Sequence, residues 1–165
     1  MIEFILLIRL LHITTSFLAL AGLIGRQLTR AQAARSTDIH ALQALLQLSG
    51  WFENWLAIPG SMLLFLFGLL LAWLQGWPLL GFVQGASVNW LLVSILLYLA
   101  IYPLVIFVFI PRGKVFTQHY EKALAQGQIT TELRAAFHDP TVRLAHLVEG
   151  VLVAAILYLM VMKPF

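Results

Sequence analysis

The sequence contains no cysteine. Disulfides, thiolate metal sites, iron–sulfur clusters and covalent c-type haem attachment are excluded in one step. Charge is also scarce. Asp, Glu, Lys and Arg make up 10% of the 165 residues and hydrophobic residues 61%, whereas a soluble domain is about a quarter charged. With a mean hydropathy of +0.92, the chain reads as an integral membrane protein. The net charge of +3 lies almost wholly in polar connections, so it bears on topology and gives no footing to a nucleic-acid partner. Met62, Met160 and Met162 are scattered and form no copper-binding cluster. No internal repeat, low-complexity run or linker divides the chain, so a single domain over 1–165 is expected.

A spanning helix needs about 20 mostly apolar residues, and four segments qualify: 2–25, 55–75, 89–110 and 142–162. The first is too long for a signal-peptide core and is interrupted by Arg9 and His12, which favours a retained helix. Trp55, Trp73, Trp77 and Trp90 fall near proposed ends, where indole rings favour the headgroup zone. The expected fold is therefore all-α, with four transmembrane helices in an antiparallel bundle. Its main partner is the lipid bilayer. A redox or membrane-protein partner and a homo-oligomer are both compatible with such a bundle.

The connections differ in charge. Residues 26–54 carry Arg26, Arg30 and Arg35; residues 111–143 carry Arg112, Lys114, Lys122, Arg134 and Arg143; the middle connection carries none. Basic loops stay cytoplasmic, which places both termini on the other side, with Lys163 as a minor exception. Short cytoplasmic helices are expected in both basic connections. Ile39, Leu42, Leu45, Leu46 and Leu48 suit an amphipathic helix capped by Thr37 or Asp38. A second helix should end at Gly127, and a third should be capped by Thr130 or Thr131. Asp139-Pro140 is an N-cap and first-turn pair for the fourth span. Pro59 and Pro103 are candidate kinks, and Ala19, Ala21, Gly22, Gly25, Gly68 and Gly150 allow close backbone approach.

Ionisable residues inside spans are costly, so each is a functional candidate. Arg9, His12 and Ser16 follow i, i+3, i+7 spacing and share one face of the first helix. His12 lies roughly 20 Å along the helix from Arg26, far from the cytoplasmic edge. An imidazole there needs a hydrogen-bond partner or a metal. A serine or backbone carbonyl across the bundle would satisfy it structurally. Alternatively it could ligate haem iron, with Arg9 pairing a propionate. His146 and Glu149 are one turn apart near the cytoplasmic edge and form a candidate proton path or second site. The counted depths of His12 and His146 differ by more than about 10 Å, which argues against their being opposite ligands of one haem. Glu53 is expected at the cytoplasmic entrance of the second span.

His12-Ile13 followed by Ala21-Gly22-Leu23, with Arg9 before them, resembles the first helix of HemJ-type protoporphyrinogen oxidases. Those are small helical membrane proteins whose first-helix histidine is a haem ligand. Glu149 and the ending Lys163-Pro164-Phe165 are similar to their last helix. The chain as a whole, including LYLMVMKPF, looks like a family of uncharacterised four-span integral membrane proteins grouped with HemJ and CopD-like proteins. Three departures stand out. Ser94 follows Trp90 where that family has a lysine, the later histidine of that helix is missing, and Val148-Glu149-Gly150 replaces an Asn-Glu pair. His12, Arg9 and Glu149 carry over. The resemblance implies a bacterial cytoplasmic-membrane bundle binding b-type haem, with His12 as iron ligand, in electron transfer, haem handling or porphyrin oxidation. If the protein is an enzyme, it would be a haem-dependent membrane oxidoreductase. The competing expectation is a non-catalytic accessory or assembly subunit whose polar residues lock helices together.

Overall fold

Apolar runs sized for one crossing here belong to helices longer than a bilayer is thick. The computed structural model describes residues 2–164, and every regular element among them is helical. Four helical stretches are long and apolar enough to cross a membrane: Ile2–Arg35, Ile39–Leu74, Trp90–Gln126 and Thr131–Met162. The expected all-α membrane class with four spans is what is observed. The first stretch has 34 residues, or about 51 Å at helical rise, against a hydrocarbon core of about 30 Å. The first helix therefore runs ten residues past Gly25. The helix expected inside connection 26–54 is the opening of the second long helix, and the third continues beyond Ile110.

The chain divides into two compact units, Met1–Trp77 and Pro78–Phe165. The first is a helical hairpin: α1 (Ile2–Arg35), a turn at 36–38, α2 (Ile39–Trp51), a π-turn (Phe52–Ala57) and α3 (Ile58–Leu74). Asp38, one of the two expected caps, accepts a bond from the Ala41 amide at 2.8 Å and starts α2. The buried residues of α1 are Ile8, Thr15, Ala19, Gly22, Arg26 and Ala33, one stripe at helical spacing. In the middle of the stripe the residues are small: Thr15, Ala19 and Gly22. A Cβ on Gly60 would lie 2.7 Å from the Ala19 amide nitrogen, and one on Gly22 would collide with the Ala57 backbone. Close backbone approach, not bulky interdigitation, joins α1 to α3.

The second unit holds a 3₁₀ turn (Gly81–Gln84), α4 (Trp90–Leu99), α5 (Ile101–Leu104), a second π-turn (Val105–Phe109), α6 (Ile110–Gln126), α7 (Thr131–Phe137) and α8 (Pro140–Met162). Gly127, at φ +64°, ends α6 as expected. Thr130 caps α7 through the Leu133 amide. Asp139 caps α8 through the Thr141 and Val142 amides, with Pro140 in the first turn. Trp90, Leu91 and Ser94 of α4 and Ala145, Glu149 and Leu159 of α8 are buried. A Cβ on Gly150, unlike one on Gly22 or Gly60, would meet nothing within 4 Å. That glycine mediates no close approach in this unit.

Each π-turn precedes an Ile-Pro step. Ile58 donates to Glu53 and Ile110 to Val105, both five residues back, and Pro59 and Pro111 follow. A proline lacks the amide for the usual bond and clashes with the carbonyl four residues back; a wider turn relieves both problems. Pro103, expected as a kink, lies in the short α5 and precedes the second wide turn.

The tryptophans separate into two roles. Trp55 and Trp73 are each 69% exposed and lie 18 residues apart, about 27 Å along the helix and close to the hydrocarbon thickness. Trp90, expected at the headgroup level, is instead buried, with the Lys163 ammonium 5.3 Å from its ring centroid.

Candidate functional site

His12 sits on α1 opposite Gly68 of α3. A Cβ on Gly68 would be 2.9 Å from Cε1 and 3.3 Å from Nδ1 of the imidazole, so only glycine leaves room for the ring at its present position. The Nδ1 of His12 is 3.1 Å from the Leu64 carbonyl oxygen. A carbonyl can only accept, so Nδ1 carries the proton and donates. The neutral ring then presents Nε2 as a bare lone pair. An Nδ1–H bond to a backbone carbonyl is also the support that orients metal-ligating imidazoles.

The neighbours expected on the His12 face take different parts. Ser16 does not reach the ring; its hydroxyl donates to the His12 carbonyl at 2.7 Å, within α1. Arg9, one turn toward the N-terminus, is exposed. Near a span end its long stem can lie along apolar surface while the guanidinium reaches the headgroups.

Among the described residues no three His, Asp or Glu side chains gather as a metal-binding group. A haem asks less of the chain: one imidazole lone pair and a cation for a propionate. His12 and Arg9 match that donor set.

The second constellation lies wholly in the second unit. His146 Nδ1 is 3.1 Å from Glu149 Oε2, and Glu149 retains 8% of its exposure. Phe109, supplied by the second π-turn, stacks on the imidazole at 4.5 Å between centroids and 25° between planes. The sequence pairing of His146 with Glu149 therefore appears as a direct bond. His12 and His146 fall in different units.

A third polar cluster lies at the first π-turn. The Arg26 guanidinium donates to Glu53 Oε1 at 3.2 Å, and the Ser49 hydroxyl donates to the Arg26 carbonyl at 3.3 Å. Arg26 is buried, at 8% exposure.

Residues 6–164 match the family described as predicted integral membrane protein (DUF2269). The chain belongs to that family. No characterised protein and no solved structure matches it. Membership in DUF2269 bears out the expected uncharacterised membrane family, and the match runs through both polar centres and the first π-turn. As a DUF2269 member the protein is a multi-pass membrane protein that sits in a lipid bilayer.

Sequence reasoning treated Arg26 as the end marker of the first span and Glu53 as a mark of the second span's start, and so missed their pairing. The available signal was their opposite charge on either side of the turn at 36–38. Counting back from that turn puts them roughly three and four helical turns away. Phe109 was missed because nothing in the pattern 105–109 distinguishes one apolar residue from its neighbours. Leu64 acts through its backbone, which no side-chain pattern reports.

Proposed function

We propose that this DUF2269 protein is a haem-binding membrane bundle in which His12 Nε2 is the protein's iron ligand. The observation that carries the reading is the Nδ1–H bond from His12 to the Leu64 carbonyl, which fixes the tautomer and leaves Nε2 as the donor. Gly68 seats the ring against α3, so the lone pair is held by both packing and hydrogen bonding. Arg9, on the same face and exposed, is the cation for a propionate. A bound b-type haem would supply one-electron redox chemistry, suiting electron transfer, haem handling or porphyrin oxidation. His146 and Glu149 form a second site where an imidazole and a carboxylate can share one proton. By the distribution of arginines and lysines, the 36–38 turn and the α6–α7 connection face the cytoplasm of a bacterial inner membrane.

The second reading is a non-catalytic accessory or assembly subunit. The same His12–Leu64 bond favours it, because a backbone carbonyl is enough to satisfy a half-buried imidazole.

One preparation separates the two. The protein is purified in mild detergent from haem-replete cells and its reduced-minus-oxidised absorption spectrum recorded. The haem reading expects a b-type spectrum that disappears in a folded His12→Ala variant. A colourless, well-folded wild type defeats that reading. A colourless wild type that loses thermal stability on His12→Ala establishes the structural one.

A further inference from the structure

Exposed apolar side chains are expected along spanning helices, but one group of them lies in a connection. Leu80, Phe82 and Val83, in and beside the 3₁₀ turn that precedes α4, are 48%, 70% and 65% exposed. Loops that face water are built from polar residues, and clustered exposed apolar groups mark an interaction surface.

The backbone of the same turn is bonded internally. The Leu80 amide donates to Gln84 Oε1 at 2.9 Å and the Phe82 amide to Asn89 Oδ1 at 2.7 Å. The amides of Gly81 and Val83 donate to the Pro78 and Leu80 carbonyls at 3.4 and 3.0 Å, and Gly85 and Ala86 donate to Phe82 and Gly81. Gly81, at φ +50°, makes this possible, because a Cβ there would collide with Asn89 Oδ1. Four consecutive amides, 80–83, thus have partners inside the loop. Water would satisfy them without help, whereas a turn that leaves water must supply its own partners.

Continuity with the spans identifies what covers the exposed side chains. The bond from the Phe82 amide to Asn89 ties the turn to the residue that opens α4, a helix within the third membrane span. The turn is thereby held at the end of that span, where the bilayer boundary lies. From Asn54 to Pro111 the sequence has no Asp, Glu, Lys, Arg or His, so no charge has to be desolvated when the turn enters that boundary. Apolar side chains seated at the boundary between headgroups and acyl chains gain the burial that water denies them.

We propose that the turn at 80–83 is an interfacial anchor that inserts Leu80, Phe82 and Val83 into the lipid leaflet at the N-terminal end of α4. Gln84 and Asn89 hold it in shape by taking the amides that lipid cannot satisfy. The anchor is independent of the haem reading and uses none of its residues.

The test is spin labelling of the full chain in phosphatidylcholine vesicles, where the lack of native cysteine makes each introduced one the sole label site. Nitroxides on Phe82→Cys and Val83→Cys are compared with Leu96→Cys, 55% exposed in α4, and Gln118→Cys, exposed in α6. Collisions with dissolved oxygen report lipid, and collisions with a water-soluble nickel chelate report water. The oxygen-to-nickel ratio at 82 and 83 should exceed that at 118 several-fold and approach that at 96. Asn89→Ala should raise nickel collisions at 82 several-fold and leave those at 96 unchanged. Should Asn89→Ala fail to fold, Gln84→Ala, which frees the Leu80 amide, should have the same effect on the label at 83. Water-like ratios at both 82 and 83 overturn the proposal. An unchanged label in the folded bracing variant overturns the role given to Gln84 and Asn89. Labels shielded from both reagents and broadened by a neighbouring nitroxide overturn the lipid assignment in favour of a second copy of the chain.

Discussion

Gly68→Ala tests the geometry around His12 most directly. The new methyl carbon would stand 2.9 Å from Cε1 and 3.3 Å from Nδ1, so the ring must retreat by roughly half an ångström to reach ordinary contact. That movement stretches the 3.1 Å bond to Leu64 toward the limit of a useful hydrogen bond. Loss of the bond costs about 1 kcal/mol and residual overpacking about 1–2 kcal/mol. Against this, replacing a mid-helix glycine by alanine returns about 0.5–1 kcal/mol. The net expectation is a destabilisation of about 1–2 kcal/mol, measured by denaturant or thermal unfolding in detergent. In a His12→Ala background nothing opposes the methyl, and Gly68→Ala should be neutral or stabilising. The two positions should therefore be coupled by about 2 kcal/mol in a double-mutant cycle. If Gly68→Ala costs the same with and without His12, the seat described for the imidazole is wrong. In a haem-loaded preparation the same variant should shift the absorption spectrum, because Leu64 loses its hold on the ligand.

The other glycines separate by what faces them. Gly22→Ala drives a methyl into the Ala57 backbone, which cannot rotate away, so unfolding should reveal a cost above about 3 kcal/mol. Gly150→Ala meets nothing within 4 Å and should stabilise α8 by about 0.5–1 kcal/mol. Asp139→Ala removes the α8 cap and the 2.9 Å pair with Arg112, and should cost about 1 kcal/mol in the same assay. Burial raises the Asp139 carboxyl, but the Thr141 and Val142 amides and Arg112 outweigh it and hold the group below its ordinary value. A carboxyl depressed in the folded state contributes stability above its unfolded pKa. That contribution is lost as pH falls through the folded one. Wild type should therefore lose stability below about pH 4, and Asp139→Asn should lose less over the same window.

The four spans were legible because their apolar runs are long and their ends carry Asp38, Gly127, Thr130 and Asp139-Pro140, residues whose local chemistry sets helix ends regardless of tertiary context. The stripe Ala19, Gly22 on α1 was legible for a similar reason: small residues at helical spacing have few uses besides close packing. Where the helices end inside the basic connections was less legible: Arg26 and Arg30 mark the charged end of a membrane span, and the helix runs on past them to Arg35. A charge pattern reports where lipid stops, not where hydrogen bonding does. At the candidate site, His12 stood out as an ionisable residue in apolar surroundings. Its partner did not: Leu64 contributes a carbonyl, and Gly68 contributes the lack of a side chain. Ser16 was placed on the right face yet bonds its own helix, since a serine hydroxyl is too short to leave it when the i−4 carbonyl is available.

The two wide turns connect the fold to its polar centres. Glu53, inside the first π-turn, meets Arg26. Phe109, at the end of the second, stacks on His146. In each unit the residue that engages a polar side chain of the packed helix is delivered by a turn with one residue more than an α-turn. Pro59 and Pro111 explain why the widening is tolerated, but packing decides whether it is required. Pro59→Ala distinguishes these. It restores an amide that can reach the Trp55 carbonyl, and closing the turn would rotate the preceding segment by about 100°. That rotation would carry Glu53 away from Arg26 and take Ile39, Leu42 and Ser49 out of their buried positions on α2. The buried face is worth more than one recovered hydrogen bond, at about 1.5–3 kcal/mol for each fully buried aliphatic side chain against about 1 kcal/mol. Pro59→Ala should therefore keep the wide turn and leave the Arg26–Glu53 coupling energy unchanged in a double-mutant cycle. If that coupling vanishes in the Pro59→Ala background, the proline itself sets the turn, and α2 packing is weaker than its burial implies.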